Sequence, residues 1–263
     1  MRTLGASLKA DDPTVMAHSF AVDGKIIPIV FDVPHLVKSV RNNLKRHGLK
    51  IQDKNISWSH LETFYENDKK NTVRLAPKLT EKHIILPPFM NMRVRLATQV
   101  FSHTVAAGMK TMVDLGRLPS EALDTALFFQ DMNRLFDILN SRTIGDKNPW
   151  RRPLNMRSAV QVKVLEESLP WISSWSFRPR FIPPCQWGFS LTIRSVILLW
   201  NSMANINLKF ICTAKLNQDC IEVSLHMRCW RLIQTGHHLS IWATWIPHAQ
   251  TQHALQGEVS GSS

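Results

Sequence analysis

An aspartate stands where an apolar strand is predicted to run into a helix. Residues 25–31 (KIIPIVF) form an apolar run, and Asp32 follows it directly. The carboxyl end of a strand in an α/β sheet is a common place for active-site acids, and carboxylates there hold the divalent cations of phosphodiester chemistry. The same position suits an N-cap, because the predicted helix opens at Pro34. On spacing alone, the cap is favoured over the metal ligand.

A pair of carboxylates follows a second predicted strand late in the chain. Asp219 and Glu222 are three residues apart, so a helix that begins here presents both on one face. Such a pair suits metal binding, but acids in a first helical turn also complement the helix dipole. The spacing by itself favours the dipole interpretation.

A third arrangement, in residues 135–142 (LFDILNSR), has the chemistry of nucleotide recognition. Asp137 and Asn140 share one face of the predicted helix, and Phe136 lies beside them. A carboxylate can accept two hydrogen bonds from the N1–H and N2–H₂ edge of guanine, and a phenyl ring can stack on a purine. The alternative is the carboxyl end of a helix that carries a solvated acid.

Other well-known site patterns are missing from the sequence. It contains no GxxxxGK[ST] and no GxGxxG motif, so a glycine-rich phosphate loop is not predicted. HExxH and GxSxG do not occur either. The four cysteines have no CxxC spacing, which argues against a disulfide framework or zinc knuckle and favours a reducing, intracellular setting.

The charge of the chain favours a polyanionic partner. The 263 residues contain 32 Lys and Arg against 20 Asp and Glu, a formal net charge of +12. The basic excess indicates a polyanion, with nucleic acid the first candidate, and the alternative is that it serves solubility alone. No apolar run approaches the roughly 20 residues that span a bilayer, so a membrane is not expected among the partners.

The periodicity of the apolar residues predicts a split α/β core with an all-helical insertion. The middle of the chain is helical, and the strands lie toward the two ends. Strands are predicted at 25–31 and 208–213, and helices at 34–48, 57–69, 92–115, 119–139 and 190–204.

Five motifs in order resemble the P-element transposase family, which includes vertebrate relatives with a THAP zinc finger. The resemblance covers about residues 20 to 222. The matching segments are 31–44 (FDVPHLVKSVRNNL), 76–84 (APKLTEKHI), 92–102 (MRVRLATQVFS), 133–141 (NRLFDILNS) and 212–222 (CTAKLNQDCIE).

The resemblance implies a fold that is α/β plus α, in which a partial RNase H-like sheet is interrupted by a mainly helical GTP-binding insertion domain. The expected divisions are an RNase H-like segment at 1–47, the insertion domain at 48–178, a second RNase H-like segment at 179–222 and a tail outside the family at 223–263, expected to be disordered. Family enzymes move DNA with two Mg²⁺ ions held by three acids.

The motifs also carry over individual site residues. Asp32 matches the second catalytic acid and Glu222 the third, both as Mg²⁺ ligands, and Asp219 matches an acid associated with the nucleotide. Six positions match nucleotide contacts of the insertion domain, with Phe136 stacking on the base, Asp137 reading the guanine edge and Lys78 neutralising charge. These six are Lys78, Val94, Ser102, Phe136, Asp137 and Asn140.

The departures from the family favour a GTP-binding protein that lacks full catalytic machinery. The family's first acid lies well upstream of the second, whereas the 31 residues before Asp32 contain no matching motif, and the sequence after Glu222 leaves the family pattern. The alternatives are an active DNA transposase, if an upstream exon supplies the first acid, and a non-functional relic. GTP, DNA and a second copy of the chain are the expected partners, and a nuclear location is expected.

Overall fold

Small antiparallel sheets accompany a mainly helical structure. The computed structural model describes residues 18–22, 25–87, 89–178, 181–205 and 207–217, so Asp219 and Glu222 lie outside the described residues. The strands are β1 (Ser19–Val22), β2 (Lys25–Pro28), β3 (Leu49–Ile51), β4 (Lys54–Ile56) and β5 (Trp175–Phe177). The helices are α1 (Val33–His47), α2 (Trp58–Asp68), α3 (Glu81–Ile84), α4 (Val94–Val100), α5 (His103–Asp114), α6 (Ala122–Leu139), α7 (Ala159–Ser173) and α8 (Pro184–Ser202).

Helix α1 forms as its apolar spacing predicts. Leu36, Val37, Val40 and Leu44 recur at helical intervals and are all buried in the core. The helix ends at Gly48, whose φ of 64° is a conformation that glycine adopts without strain. The helix therefore has the bounds and the buried face that the sequence indicates.

The three-stranded sheet brings two distant parts of the chain together. Its order is β4-β3-β5, and both pairings are antiparallel. Leu49 pairs with Phe177 and Ile51 with Trp175, so the first and last residues of segment 49–177 are neighbours in the sheet. This segment contains β4 and helices α2 to α7, and its two ends meet at the pairing of β3 with β5.

The helices of this segment differ from the sequence prediction in one place. Residues 92–115 form two helices rather than one, because α4 ends at Val100 and α5 begins at His103. The Ser102 hydroxyl accepts a hydrogen bond from Val105 N at 3.3 Å, which caps α5 and turns the chain. Helix α6 packs along α5, and its buried face contributes Phe129, Met132 and other large side chains to the core.

Helix α8 is hydrogen-bonded to the β1–β2 hairpin at the start of the described residues. The Ser195 hydroxyl donates to the Ile29 and His18 carbonyl oxygens at 2.6 and 2.9 Å, which fastens the β1–β2 hairpin to the helix. A Cβ at Gly188 would lie 2.7 Å from a methyl group of Leu36, so α1 and α8 cross closely there.

The predicted strand at 208–213 is wrong. Ile211 makes one isolated antiparallel bridge to Leu154, and the chain then forms a 3-10 helix at Thr213–Leu216. Thr213 explains the difference, because its hydroxyl donates to the Ile138 carbonyl oxygen at 2.7 Å and accepts from Ser141 N at 2.9 Å. These bonds fix the segment to the end of α6 instead of to a neighbouring strand.

The fold is thus a mixture of helices and small sheets, as the sequence predicts at that level. None of the helices in the described ranges is long and apolar enough to cross a membrane. Cys185 and Cys212 are free thiols.

Candidate functional site

A cleft of about 650 Å³ opens where α5 begins and α6 ends. Five of the six positions that match nucleotide contacts line it. The sixth, Val94, is the first residue of α4 and is not among the lining residues. The predicted residues that the structure brings together are Lys78, Ser102, Phe136, Asp137 and Asn140.

Asp137 is buried at the wall of the cleft, with 4% of its surface exposed. Its Oδ2 accepts hydrogen bonds from Asn133 Nδ2 at 3.1 Å and Asn148 Nδ2 at 2.9 Å, and its Oδ1 accepts from Arg151 Nε at 2.9 Å. The interpretation of this residue as a solvated acid is therefore wrong, although it does lie near the end of the helix. Its carboxylate joins α6 to the following loop.

Burial raises the pKa of the Asp137 carboxyl above its usual range. The positive charge of Arg151 and the three donated hydrogen bonds offset part of that rise, because they stabilise the ionised form. The Asp137 carboxylate is therefore removed from water, and three hydrogen-bond donors partly replace that water.

Asn140 follows α6 and is oriented from far along the chain. Its Oδ1 accepts a hydrogen bond from Asn217 Nδ2 at 3.1 Å, and Asn217 is 2% exposed. Because this bond engages its oxygen, the N–H₂ group of Asn140 is the part of the amide left to donate a hydrogen bond. Asp137 and Asn140 thus supply opposite hydrogen-bonding groups at neighbouring points of the cleft.

Phe136 directly precedes Asp137 in sequence and is half-buried, packed against the core and lining the cleft. A phenyl ring at such a wall offers a flat surface on which a base can stack.

Lys78 is exposed at the rim, on a segment fixed by a buried carboxylate. The Asp68 side chain accepts hydrogen bonds from Leu75 N at 2.7 Å, Ala76 N at 3.3 Å and Arg74 Nε at 3.1 Å. Arg74 in turn donates to the Leu79 carbonyl oxygen at 2.8 Å. These contacts hold the backbone on both sides of Lys78, which places its ammonium group at the cleft.

The sequence reasoning missed the residues that hold these groups in place. Asn133 lies four residues before Asp137, a helical spacing that signals a contact. Asp68, Asn148, Arg151 and Asn217 have no comparable signal, because the groups they contact lie on other elements or across loops.

Asp32 does not belong to the cleft. The Asp32 carboxylate accepts a hydrogen bond from His35 N at 3.1 Å and caps α1, as the spacing favours. The preceding residue, Phe31, is held by a hydrogen bond from its N–H to Thr192 Oγ1 at 3.0 Å. The Asp32 side chain is 7% exposed, and its Oδ2 lies 3.3 Å from His35 Nδ1. Among the residues that the structure describes, no group of three or more His, Cys, Asp and Glu is placed to hold a metal ion.

Comparison with known proteins shows which families this chain is similar to. Residues 34–153 match the family model described as the TNP-like, GTP-binding insertion domain. The Transposable element P transposase of Drosophila melanogaster is 30% identical over 197 residues, which is 73% of this chain and 26% of that protein. The chain is similar to P-element transposases.

Two further comparisons agree with this resemblance. The DNA transposase THAP9 of Homo sapiens is 26% identical over 153 residues, which is 56% of this chain and 16% of that protein. The structure of the Drosophila P element transposase strand transfer complex matches with a TM-score of 0.73 at 28% identity, over 80% of this chain and 49% of that chain. The chain spans about a quarter of its Drosophila relative's length and less of the human one.

The matched range contains the whole cleft. Its lining residues run from Ala76 to Arg151, all inside the 34–153 match to the GTP-binding insertion domain. The family relationship and the geometry of the cleft therefore concern the same part of the chain.

Proposed function

We propose that this chain is a P-element-type transposase derivative that binds GTP in the cleft between α5 and α6. The observation that carries the proposal is the coincidence of two independent features. The cleft collects Lys78, Ser102, Phe136, Asp137 and Asn140, and it lies wholly within the match to the GTP-binding insertion domain.

The proposed recognition of guanine follows from the hydrogen-bonding groups. Guanine offers donors at N1 and N2 and an acceptor at O6, which suits a carboxylate acceptor at Asp137 and an amide donor at Asn140. Adenine offers an acceptor at N1 and a donor at N6, the reverse pattern. The site should therefore prefer GTP to ATP, while Phe136 stacks on either purine.

The charges on the cleft suit the phosphates. Lys78 and Arg142 are cationic lining residues, and α5 begins at the cleft behind its Ser102 cap. Backbone N–H groups in the first turn of a helix favour anions. In this proposal Lys78 neutralises the phosphates, whereas selectivity resides in the base contacts.

Titration of the full chain with fluorescently labelled GTP, with unlabelled GTP and ATP as competitors, tests the proposal. GTP should compete more strongly than ATP, and Asp137→Ala should remove most of that preference. Asp114→Ala, an exposed acid at the end of α5, is the matched control and should bind as the unsubstituted chain does. Equal competition by the two nucleotides, or an Asp137→Ala variant with its preference intact, would refute the proposal.

The insertion-domain boundaries at 48 and 178 are part of the same proposal. The antiparallel pairing of β3 with β5 supports them, since an insertion must leave and re-enter its host at neighbouring points. The flanking segments 1–47 and 179–222 are proposed to derive from an RNase H-like core, and the similarity to the P element transposase structure supports this origin.

Metal-dependent DNA cleavage is the alternative function. The resemblance assigns Asp32 and Glu222 as Mg²⁺ ligands, but the described residues contribute Asp32 alone to such a site. We propose nucleotide binding as the function and keep metal-dependent cleavage as the alternative. A strand-cleavage assay with Mg²⁺ or Mn²⁺ decides, because activity that disappears in Asp32→Ala would establish the alternative. DNA binding, self-association and a nuclear location are proposed on the same resemblance.

A further inference from the structure

Arg151 holds the carboxylate that the proposed site needs for guanine. Its Nε donates to Asp137 Oδ1 at 2.9 Å. We propose that Arg151 is an internal competitor for guanine, which occupies the base-reading carboxylate in the nucleotide-free protein and is displaced when GTP binds. This inference rests on the proposed GTP site and assigns Arg151 a role in its specificity.

The chemical likeness of the two partners supports the competition. The N1–C2–N2 edge of guanine is a guanidine fragment within a ring, and its N–H groups point outward side by side as those of an arginine side chain do. A carboxylate that accepts a hydrogen bond from a guanidinium group, as Asp137 does from Arg151 Nε, is therefore also suited to that edge of guanine. Adenine has no such fragment, so it cannot replace Arg151.

The acceptor capacity of Asp137 makes the two partners exclusive. A carboxylate has about four lone-pair sites, and Asn133, Asn148 and Arg151 already use three of them. Guanine needs two. One of the three present donors must leave before both guanine bonds can form.

Arg151 is the donor that can leave most easily. Its side chain is 52% exposed, and it lies on the short 3-10 helix Pro149–Arg151. Asn133 is fixed on α6 together with Asp137, and Asn148 also caps the 3-10 helix by accepting from Trp150 N at 3.1 Å. Releasing Arg151 breaks one contact, whereas releasing Asn148 would also uncap the 3-10 helix.

The ion pair between Arg151 and Asp137 also stabilises the nucleotide-free protein. A buried carboxylate without a counter-ion is strongly unfavourable, so Arg151 stabilises Asp137 until a nucleotide arrives. The same pairing lowers the affinity for GTP, because its free energy must be overcome at each binding event. ATP leaves the pairing intact and should not depend on it.

The test measures the affinities of the full chain for GTP and ATP by isothermal titration calorimetry at pH 8. Arg151→Gln removes the competitor and should raise the preference for GTP over ATP about threefold, the range expected of a half-exposed ion pair. Arg151→Lys keeps the charge without the guanidinium fork and should give a smaller rise in the same direction.

Arg152→Gln is the matched control. It removes the same charge one residue later, from a side chain whose Nε donates to the Asp146 carbonyl oxygen at 2.8 Å rather than to Asp137. The GTP preference should not change in this variant, and thermal unfolding should show that each variant is folded.

The outcomes separate the inference from the function on which it rests. If Arg151→Gln lowers both affinities and leaves the ratio of GTP to ATP affinity unchanged, Arg151 is a phosphate ligand. Any other result in which that ratio stays constant or falls would also overturn the proposed competition. If the unsubstituted chain itself fails to prefer GTP, the proposed function fails first, whatever Arg151→Gln does.

Discussion

Asn217 donates a hydrogen bond from its side-chain nitrogen to Asn140 Oδ1 at 3.1 Å, across 77 positions of sequence. The 3-10 helix Thr213–Leu216 brings Asn217 to this place, because Thr213 is bonded to the end of α6. The chain thus returns from α8 to the rim of the cleft at Asn217. The buried Asn217 amide therefore determines that Asn140 has its N–H₂ group, and not its oxygen, left for a ligand.

Replacement of Asn217 by alanine should weaken GTP binding without abolishing it. Asn140 would lose the partner that orients it, and a hydrogen bond of this kind contributes about 1 kcal/mol, or roughly fivefold in affinity. The competition titration with labelled GTP measures the change. Asn201→Ala on the exposed side of α8 is the control, and equal affinities in the two variants would show that the Asn217 contact does not orient the site.

The preference for GTP should decline on acidification at a pH above the ordinary aspartate range. Burial raises the pKa of Asp137 from its usual 3.8, and only the ionised carboxylate can accept both guanine protons. As the pH falls through that raised pKa, the acceptor is lost. The measurement is the ratio of GTP to ATP affinity against pH, in which the titration of the phosphates cancels.

The variant Asp137→Asn should show no such decline, since its side chain does not titrate. A decline of equal size in this variant would assign the pH dependence to another group. The same raised pKa has a consequence for stability: the folded state binds this proton more tightly than the unfolded chain. The contribution of Asp137 to stability is therefore present at low pH and falls as the pH rises through the raised pKa.

Phe136→Leu should reduce the affinities for GTP and ATP by similar factors. Stacking of a base on an aromatic ring contributes about 1–3 kcal/mol and depends little on which base is present, so roughly a tenfold loss is expected for each nucleotide. Competition titrations supply both numbers. Phe210→Leu, at an exposed position outside the cleft, should have no effect, and a selective loss of GTP binding alone would argue against stacking.

Gly108→Ala should destabilise the fold through the contact between α5 and α2. An added Cβ would lie 2.8 Å from Phe64 Cζ and 3.2 Å from Leu75 Cβ, and overpacking of this kind costs about 1–3 kcal/mol. Gly145→Ala meets no atom within 4 Å, so a change of less than about 0.5 kcal/mol is expected there. Urea unfolding of both variants gives the comparison, and equal midpoints would mean that α5 and α2 do not pack this closely.

Local sequence was a good guide to the helices where burial and capping agree. The bounds of α1 follow from its apolar spacing and from Asp32 and Gly48, each of which acts on residues only a few positions away. The same reasoning failed at Ser102, because apolar periodicity continues across the break between α4 and α5. It failed again at residues 208–213, where Thr213 binds the end of α6 rather than extending a strand.

The sequence by itself determined the helical middle, the family resemblance and the residue types suited to guanine, because these depend on local spacing and on motifs in order. Tertiary structure alone decided that Lys78, Ser102 and Asp137 share a cleft, and that Arg151 and Asn217 hold two of its polar groups. Hydrogen bonds and ion pairs depend on distance in space, and the partners that orient this site come from loops and from a segment 77 residues away.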